Sequence, residues 1–375
     1  MRRLHFTISV AVSISCFSAA PAPFDAPAAA QEIFPHPGLL QTQRQLQRFS
    51  ERSTISDIVA DTYKLMEDDP RSSGDYQPQP LAVVDVVSSG AGPAEKAFKD
   101  DAIAAYLNAM LWVKTDDPVH RDKAMEILDV WASTFKTVTT DVDARNSPRQ
   151  PQLEAAWALP MWVNAAEIIR YYDNGGAGWQ PESIDRFDLF IDRLFAFSSQ
   201  AMDRKNNWGA SAAMAAVAVG VYQNDRRRYK AGLNSIKKLM PAVISEDGEI
   251  NELRTRDCSH PQYSLAAFVQ AATIAGNQGD QSLWLFGQTA DAPPLLARGL
   301  EYMAEALIEG SPVRDCQRRG HIGKLGAGYG DIALQEYQER GIFLPKLRKV
   351  VQFTGVDRPS YQFLGWSSAT YMLAN

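Results

Sequence analysis

Residues 206–222 read NNWGASAAMAAVAVGVY. From Ala210 to Val221 the run holds alanine, valine, glycine, methionine and one serine, with no charge anywhere. As a helix it is apolar all round, and such a helix is buried on every side. Its neighbours differ. Residues 227–244, RRYKAGLNSIKKLMPAVI, carry one apolar stripe and one charged face. Residues 261–276, PQYSLAAFVQAATIAG, are apolar all round again.

The same pattern runs outward from this stretch. Phe98, Ile103, Tyr106, Leu107, Met110 and Leu111 recur at helical spacing in 96–118, and Ala124, Ile127, Leu128 and Trp131 do so in 119–135. Residues 153–172, 181–202 and 293–310 read as further helices, the first kinked or started near Pro160. Half-buried and fully buried helices alternate, as a two-layer helical toroid requires. The expected fold is all-α, an incomplete α/α-barrel of inner and outer helices. Fixed-period repeats are absent, which argues against a solenoid. Residues 71–95, rich in Ser, Gly and Pro, read as a long surface loop, with LAVVDVV (81–87) a short strand candidate.

The N-terminus reads as a leader. MRRLHF is cationic, TISVAVSISCFSAA is a short apolar run, and Ala28-Ala29-Ala30 before Gln31 fits signal-peptidase cleavage. Lipoprotein processing at Cys16 is the alternative, but Ser13 stands where a large aliphatic residue is usual. The expected organisation is a signal peptide over 1–30 and one domain over 31–375. The expected location is periplasmic or secreted, with no membrane anchor in the mature form. The net charge of −6 becomes −7 once Arg2, Arg3 and Asp25 leave. Bulk electrostatics therefore disfavours nucleic acid, and a polyanionic ligand would need a local basic cleft. Cys258 and Cys316 remain in the mature chain; in an oxidising compartment they can pair, the alternative being two unpaired thiols.

Two loop-to-helix junctions concentrate polar residues. In DRKNNWGASAAM (203–214), Asn207 reads as the N-cap, with Asn206 and Lys205 at the helix mouth, where an anion is favoured. The plain alternative is that Asn-Asn caps and Trp208 packs. In NELRTRDCSHPQYSL (251–265), Pro261 fits the first turn of a helix, with His260 or Ser259 capping, Arg256 in the approach loop beside Arg254, and Tyr263 just inside. The glycine-rich 314–331 adds Arg314, His321 and Tyr329 on a loop that reads as a mobile cover, the alternative being a plain surface loop. Asn, Arg, His and Tyr, without paired carboxylates or metal-ligand spacing, suit β-elimination at a uronic acid. Amide and guanidinium groups stabilise charge on the C6 carboxylate. His or Tyr takes the C5 proton, and Tyr protonates the departing O4. No cofactor or metal is called for.

Residues 31–375 resemble the alginate lyase superfamily of polysaccharide lyases, through HPGLLQTQRQL (36–46), AAWALPMWVNAAEIIRYY (155–172), KNNWGASAAM (205–214) and RDCSHPQYSL (256–265). The resemblance implies an incomplete α/α-barrel and an acidic polysaccharide substrate. It implies that Asn207 neutralises the substrate carboxylate, that Arg256 does the same or poises the tyrosine, and that Tyr263 is the acid, or acid and base. The chain departs from the pattern at Trp208, where the best-known members have His. His260 becomes the replacement base, and Trp208 a candidate for stacking on a sugar. The Arg-Asp-x-x-His-x-Gln spacing from Arg256 to Gln262 resembles the glucuronan lyase branch. Lys205, Asn206, Arg254 and His321 are the further substrate-binding candidates. Two other classes compete. A glycoside hydrolase on the same toroid needs two carboxylic acids at a set distance, for which Asp101, Glu154, Glu167 and Glu252 are available. A non-catalytic carbohydrate-binding protein would also fit the loss at Trp208.

Overall fold

The computed structural model describes residues 34–51, 57–88, 90–141 and 147–371. The leader read over 1–30 lies outside them. The helices and strands follow in order: α1 (Gln43–Glu51), α2 (Asp57–Glu67), β1 (Val83–Asp85), α3 (Pro93–Thr115), α4 (Pro118–Thr134), β2 (Thr137–Thr139), α5 (Gln150–Tyr171), α6 (Pro181–Ser198), α7 (Asn207–Tyr222), α8 (Arg226–Val243), α9 (Asn251–Thr255), α10 (His260–Asn277), α11 (Leu295–Ile308), α12 (Gly330–Glu339) and α13 (Pro345–Thr354). No helix among the described residues is long and apolar enough to cross a membrane.

The two layers are as the pattern requires. The inner helices α3, α5, α7 and α10 are buried along most of their length, and α7 shows only Trp208 partly to solvent. The outer helices α4, α6, α8 and α11 bury one stripe. Each inner helix packs on the outer helix that follows it and on the next inner helix. Small residues set the spacing of α7 against α8. A Cβ on Gly220 would stand 2.4 Å from the Tyr229 backbone nitrogen, and one on Gly232 would stand 2.7 Å from the Ala213 oxygen. The fold is thus the α/α-barrel read from the sequence.

Local differences have local causes. α5 does not start at Pro160; it starts at Gln150 with Pro151 in its first turn and carries Pro160 inside. The carbonyl of Pro160 accepts a bond from Asn164 Nδ2 at 2.6 Å. The loop 71–95 contains β1, which pairs in parallel with β2, Val83 opposite Thr137. Asn206, not Asn207, is the N-cap of α7, its Oδ1 accepting the Trp208 N–H at 3.1 Å. At α10 neither Ser259 nor His260 caps through its side chain. Asp257 does, with Oδ1 accepting from the Ser259 and His260 N–H groups at 2.8 and 2.9 Å.

The first turns of the four inner helices meet at one end. Lys99 of α3 bonds Glu154 of α5, Trp157 of α5 donates to Ser211 of α7, and Trp157 lies edge-on to Tyr263 of α10 at 5.6 Å. All four helix N-termini therefore direct partial positive charge to that end. The opposite end is closed by the N-terminal segment. Glu167 accepts from His36 and from the Gly38 N–H, Asn164 from the Leu40 N–H, and Asn277 donates to the Leu39 carbonyl. The resemblance stretch at 36–46 thus joins the second half of 155–172, through Asn164 and Glu167, at the end away from the helix mouths.

Candidate active site

Two junctions that are 50 residues apart in sequence come together through Glu252 on α9. Its Oε2 accepts from the Asn207 N–H at 2.8 Å and from Ser264 Oγ at 3.0 Å. One carboxylate so clamps the starts of α7 and α10. Burial raises the Glu252 carboxyl, and those two bonds and the charge of Arg256 only partly offset this. Asn207 is fully buried, and both polar atoms of its side-chain amide lack a partner among the described residues, as does Glu252 Oε1. An unpaired buried amide costs free energy, and this one sits at the helix mouth closed off from solvent.

The capping carboxylate of α10 has a second role. Asp257 Oδ2 meets His260 Nδ1 at 2.7 Å while Oδ1 holds the backbone. Binding Nδ1–H leaves Nε2 as the free acceptor nitrogen, the orienting logic of a base held by a carboxylate. Burial raises the Asp257 carboxyl, but the bonds from His260 and Ser259 outweigh it and hold the group below the usual carboxylate range. The His260 ring lies edge-on to Tyr263 at 5.6 Å. Tyr263 is half-buried between Trp157, His260 and Phe363. Burial, with Asp257 and Glu154 adding to it and Lys99 opposing, raises its phenol. The phenol holds its proton at neutral pH and suits an acid.

The remaining sequence candidates take varied places. Arg256 ends α9, is exposed, and its side chain makes no hydrogen bond or ion pair among the described residues. Arg254 is bound to Glu249 at 2.8 Å through two nitrogens and faces outward. Trp208 packs on Ala156, Ala201 and Ala212, and Arg204 covers one ring face at 4.0 Å. Lys205 is exposed. His321 lines a cavity of about 910 Å³ that also touches Tyr263. Asn207, Arg256 and His260 are not in its wall. Arg314 donates to the Leu253 carbonyl, and Tyr329 is buried on Gln262.

The carboxylates available for hydrolysis are each engaged in structure, Glu252 as the clamp of α7 and α10. Glu167 is at the closed end with His36, Asp101 holds Tyr76 and Trp131, and Glu154 binds Lys99. Residue reading missed Asp257 and Gln262. Asp257 had a legible signal, an acidic residue three positions before the first residue of a proline-led helix. Gln262 had none. Its amide donates to the carbonyls of Cys258 and Lys324 and accepts from Gly326 N–H and Tyr329, so it fastens the 324–329 segment beside Tyr263.

Cys258 and Cys316 form a disulfide. It joins the Asp257–His260 turn to the segment that carries His321. At a sequence separation of 58, loop-closure entropy gives about 4 kcal/mol, the top of the ~2–4 kcal/mol that disulfides typically contribute. Cys258→Ser/Cys316→Ser is expected to lower the urea midpoint accordingly, and added reductant should lower the native protein but not the variant.

The alginate lyase family model matches residues 47–312. No curated protein matches the chain by sequence. Among solved structures, alginate lyase A1-III from Sphingomonas species A1 superposes with a TM-score of 0.67 at 15% identity, over 95% of this chain and 100% of that one. A variant of alginate lyase A1-III complexed with a tetrasaccharide gives 0.69 at 15% identity, over 94% and 99%. An alginate lyase from Bacteroides ovatus gives 0.67 at 13% identity, over 90% and 100%. At such identities the superpositions speak for the fold alone.

Proposed function

The chain belongs to the alginate lyase family and is a polysaccharide lyase, and on that premise we propose that it is exported and cleaves 1,4-linked uronate polymers by β-elimination. Asn207 and Arg256 neutralise the C6 carboxylate, which acidifies the C5 proton. His260 Nε2 takes that proton. The electron pair forms the C4–C5 double bond, the C4–O4 bond breaks, and the Tyr263 phenol protonates O4. Solvent then returns the proton from His260 to Tyr263. Asp257 is the positioning residue that holds the imidazole.

The observation that carries the reading is the Asp257–His260–Tyr263 array at the helix mouths. It supplies a base, where Trp208 supplies none, and an acid whose proton is retained. The array also favours one stereochemistry. A base and an acid with rings 5.6 Å apart suit a hydrogen and a leaving oxygen on the same sugar face. In β-D-mannuronate and β-D-glucuronate polymers H5 and O4 share a face; in α-L-guluronate they do not. Ultraviolet absorbance of the unsaturated product is therefore expected with polymannuronate or glucuronan and not with polyguluronate. Reducing ends without that absorbance would instead indicate hydrolysis, and no product on any uronate polymer would remove the proposal.

A further inference from the structure

The cavity beside Tyr263 is built mostly from chain that lies beyond the family match. Ser259, Gln262 and Tyr263 line one side; the rest of the wall comes from residues 318–363, past residue 312 where the match ends. Arg318, Arg319, Lys324 and Arg358 line it, all exposed. None of the four side chains forms a hydrogen bond or ion pair among the described residues. Four arginines elsewhere, Arg71, Arg228, Arg254 and Arg340, each hold a carboxylate. Arg358 is within the electrostatic reach of Asp69, and the other three have no carboxylate in an ion pair among the described residues; four cations around one concavity set up a field that draws an anion.

Two further features narrow the ligand. Phe353 stands 57% exposed on the same wall, and a large aromatic left open in a cavity offers a face for an apolar ring surface. Asp331 lies buried in the cavity wall, with Oδ1 lacking a partner among the described residues. That oxygen is an acceptor for a hydroxyl. A sugar acid presents all three complements: a carboxylate, an apolar ring face and hydroxyl donors. The cavity carboxyls offset the cations only in part. Burial raises the Asp331 and Asp357 carboxyls to about 6 and about 7, the latter with help from Asp331.

The wall is also fixed relative to Tyr263. Gln262 binds the carbonyl of Lys324 and the N–H of Gly326, and the disulfide anchors Cys316 to Cys258. Gly328, at φ +78°, donates to Asp357, and a Cβ there would stand 2.4 Å from the Leu364 oxygen. The glycines thus serve close packing, and the segment read as a mobile cover is strapped down. A site held in advance loses less affinity to ordering. A volume of about 910 Å³ lies near the top of the ~300–1,000 Å³ range for ligand pockets, room for more than one sugar ring.

We infer that this cavity binds uronate residues flanking the one cleaved, their carboxylates on Arg318, Arg319, Lys324 and Arg358 and a ring on Phe353. The inference rests on the lyase reading and adds a distal site contributed by the C-terminal segment. It makes the enzyme favour oligomers long enough to reach from Tyr263 into the cavity.

The test separates binding from turnover. Equilibrium binding of hexamannuronate and hexaglucuronate is measured by calorimetry on the Tyr263→Phe protein. The same is done after adding Arg319→Ala/Lys324→Ala/Arg358→Ala, and separately Lys324→Glu. Lys230→Ala, an exposed cation on α8, is the control. The triple variant is expected to raise Kd at least tenfold for the oligomer that binds and to flatten its salt dependence. Lys324→Glu raises Kd and the control leaves it unchanged. In the active enzyme the triple variant raises KM for hexamers with kcat retained. Kd within twofold of the parent in both cavity variants, with melting curves unchanged, would overturn the inference. If charge removal weakens binding but no polymer is ever cleaved, the lyase reading fails and the cavity assignment stands. If polymer is cleaved and the triple variant matches the parent in Kd and KM, the cavity assignment alone fails.

Discussion

Tyr263→Phe is expected to lower turnover by about 10²–10⁴-fold, the range for a general acid or base, with KM close to that of the parent. The substitution removes only the phenolic oxygen. The ring contacts with Trp157, His260 and Phe363 do not need it, so melting should be unchanged. His260→Ala is expected to cost a similar factor by removing the base. Asp257→Asn is the sharper probe of how that base is held. An asparagine whose oxygen caps the Ser259 and His260 N–H groups must turn its NH₂ toward Nδ1. The imidazole then carries its proton on Nε2 and cannot accept one. Turnover should fall at least ~100-fold while the helix cap, and hence stability, is largely kept. Initial rates on polymannuronate or glucuronan, followed by product absorbance beside thermal melts, decide this. Near-parental rates in all three variants would take these residues out of the chemistry.

The parts of this arrangement that were legible in sequence are those that repeat or lie close together. The all-round apolar run from Ala210 to Val221 has only one stable home, so the inner layer followed from it. Pro261 marked a helix start, and the seven-residue interval from Arg256 to Tyr263 pointed to one junction. Asn206 and Asn207 are equally good caps by type. Which of them caps depends on the backbone at position 206, which is extended there and helical one residue later. Asp257 was visible only as a neighbour, because its two oxygens acquire separate partners once the turn closes. Trp208 invited a sugar-stacking role, yet the turn before α7 brings Arg204 onto its ring and the alanines of α5 and α7 beneath it. β2 offers only the short β-branched run Thr137–Thr139, and its partner lies 54 residues upstream. The cavity wall was illegible for the same reason. Glycine content alone reads as mobility, while the bonds from Gln262 and the disulfide to Cys258 come from another part of the chain.

Lys99→Met is expected to destabilise the protein by about 3–5 kcal/mol, the cost of leaving buried charges without their partner. Lys99 is fully buried, bonded to Glu95 at 2.8 Å and to Glu154. Burial opposes the ammonium, but the two carboxylates outweigh it and raise Lys99, so it is charged at neutral pH. Burial, with Glu95 adding to it, raises Glu154 despite the attraction of Lys99. The consistent picture is one ammonium between two carboxyls, with the Glu154 carboxyl held up by burial. The sign of the pH effect follows. A carboxyl raised in the folded state favours folding at low pH, and that contribution is lost as pH rises through its folded value. With the ammonium gone, Glu154 is raised further, so the deficit of the variant should be small near pH 5 and grow toward pH 8. Urea unfolding at both values measures it, urea being uncharged and leaving the ion pairs unscreened. Adding Glu95→Gln and Glu154→Gln to Lys99→Met should recover most of the loss, because no buried charge is then unpaired. A deficit that is equal at the two pH values would mean that Lys99 acts by packing alone. The cluster also bears on the chemistry. Lys99 Nζ lies 5.2 Å from the Trp157 ring, and that ring abuts Tyr263 at 5.6 Å. A mouth that loosens at α3 and α5 should therefore lose turnover before it loses the fold, with the loss again greater at pH 8.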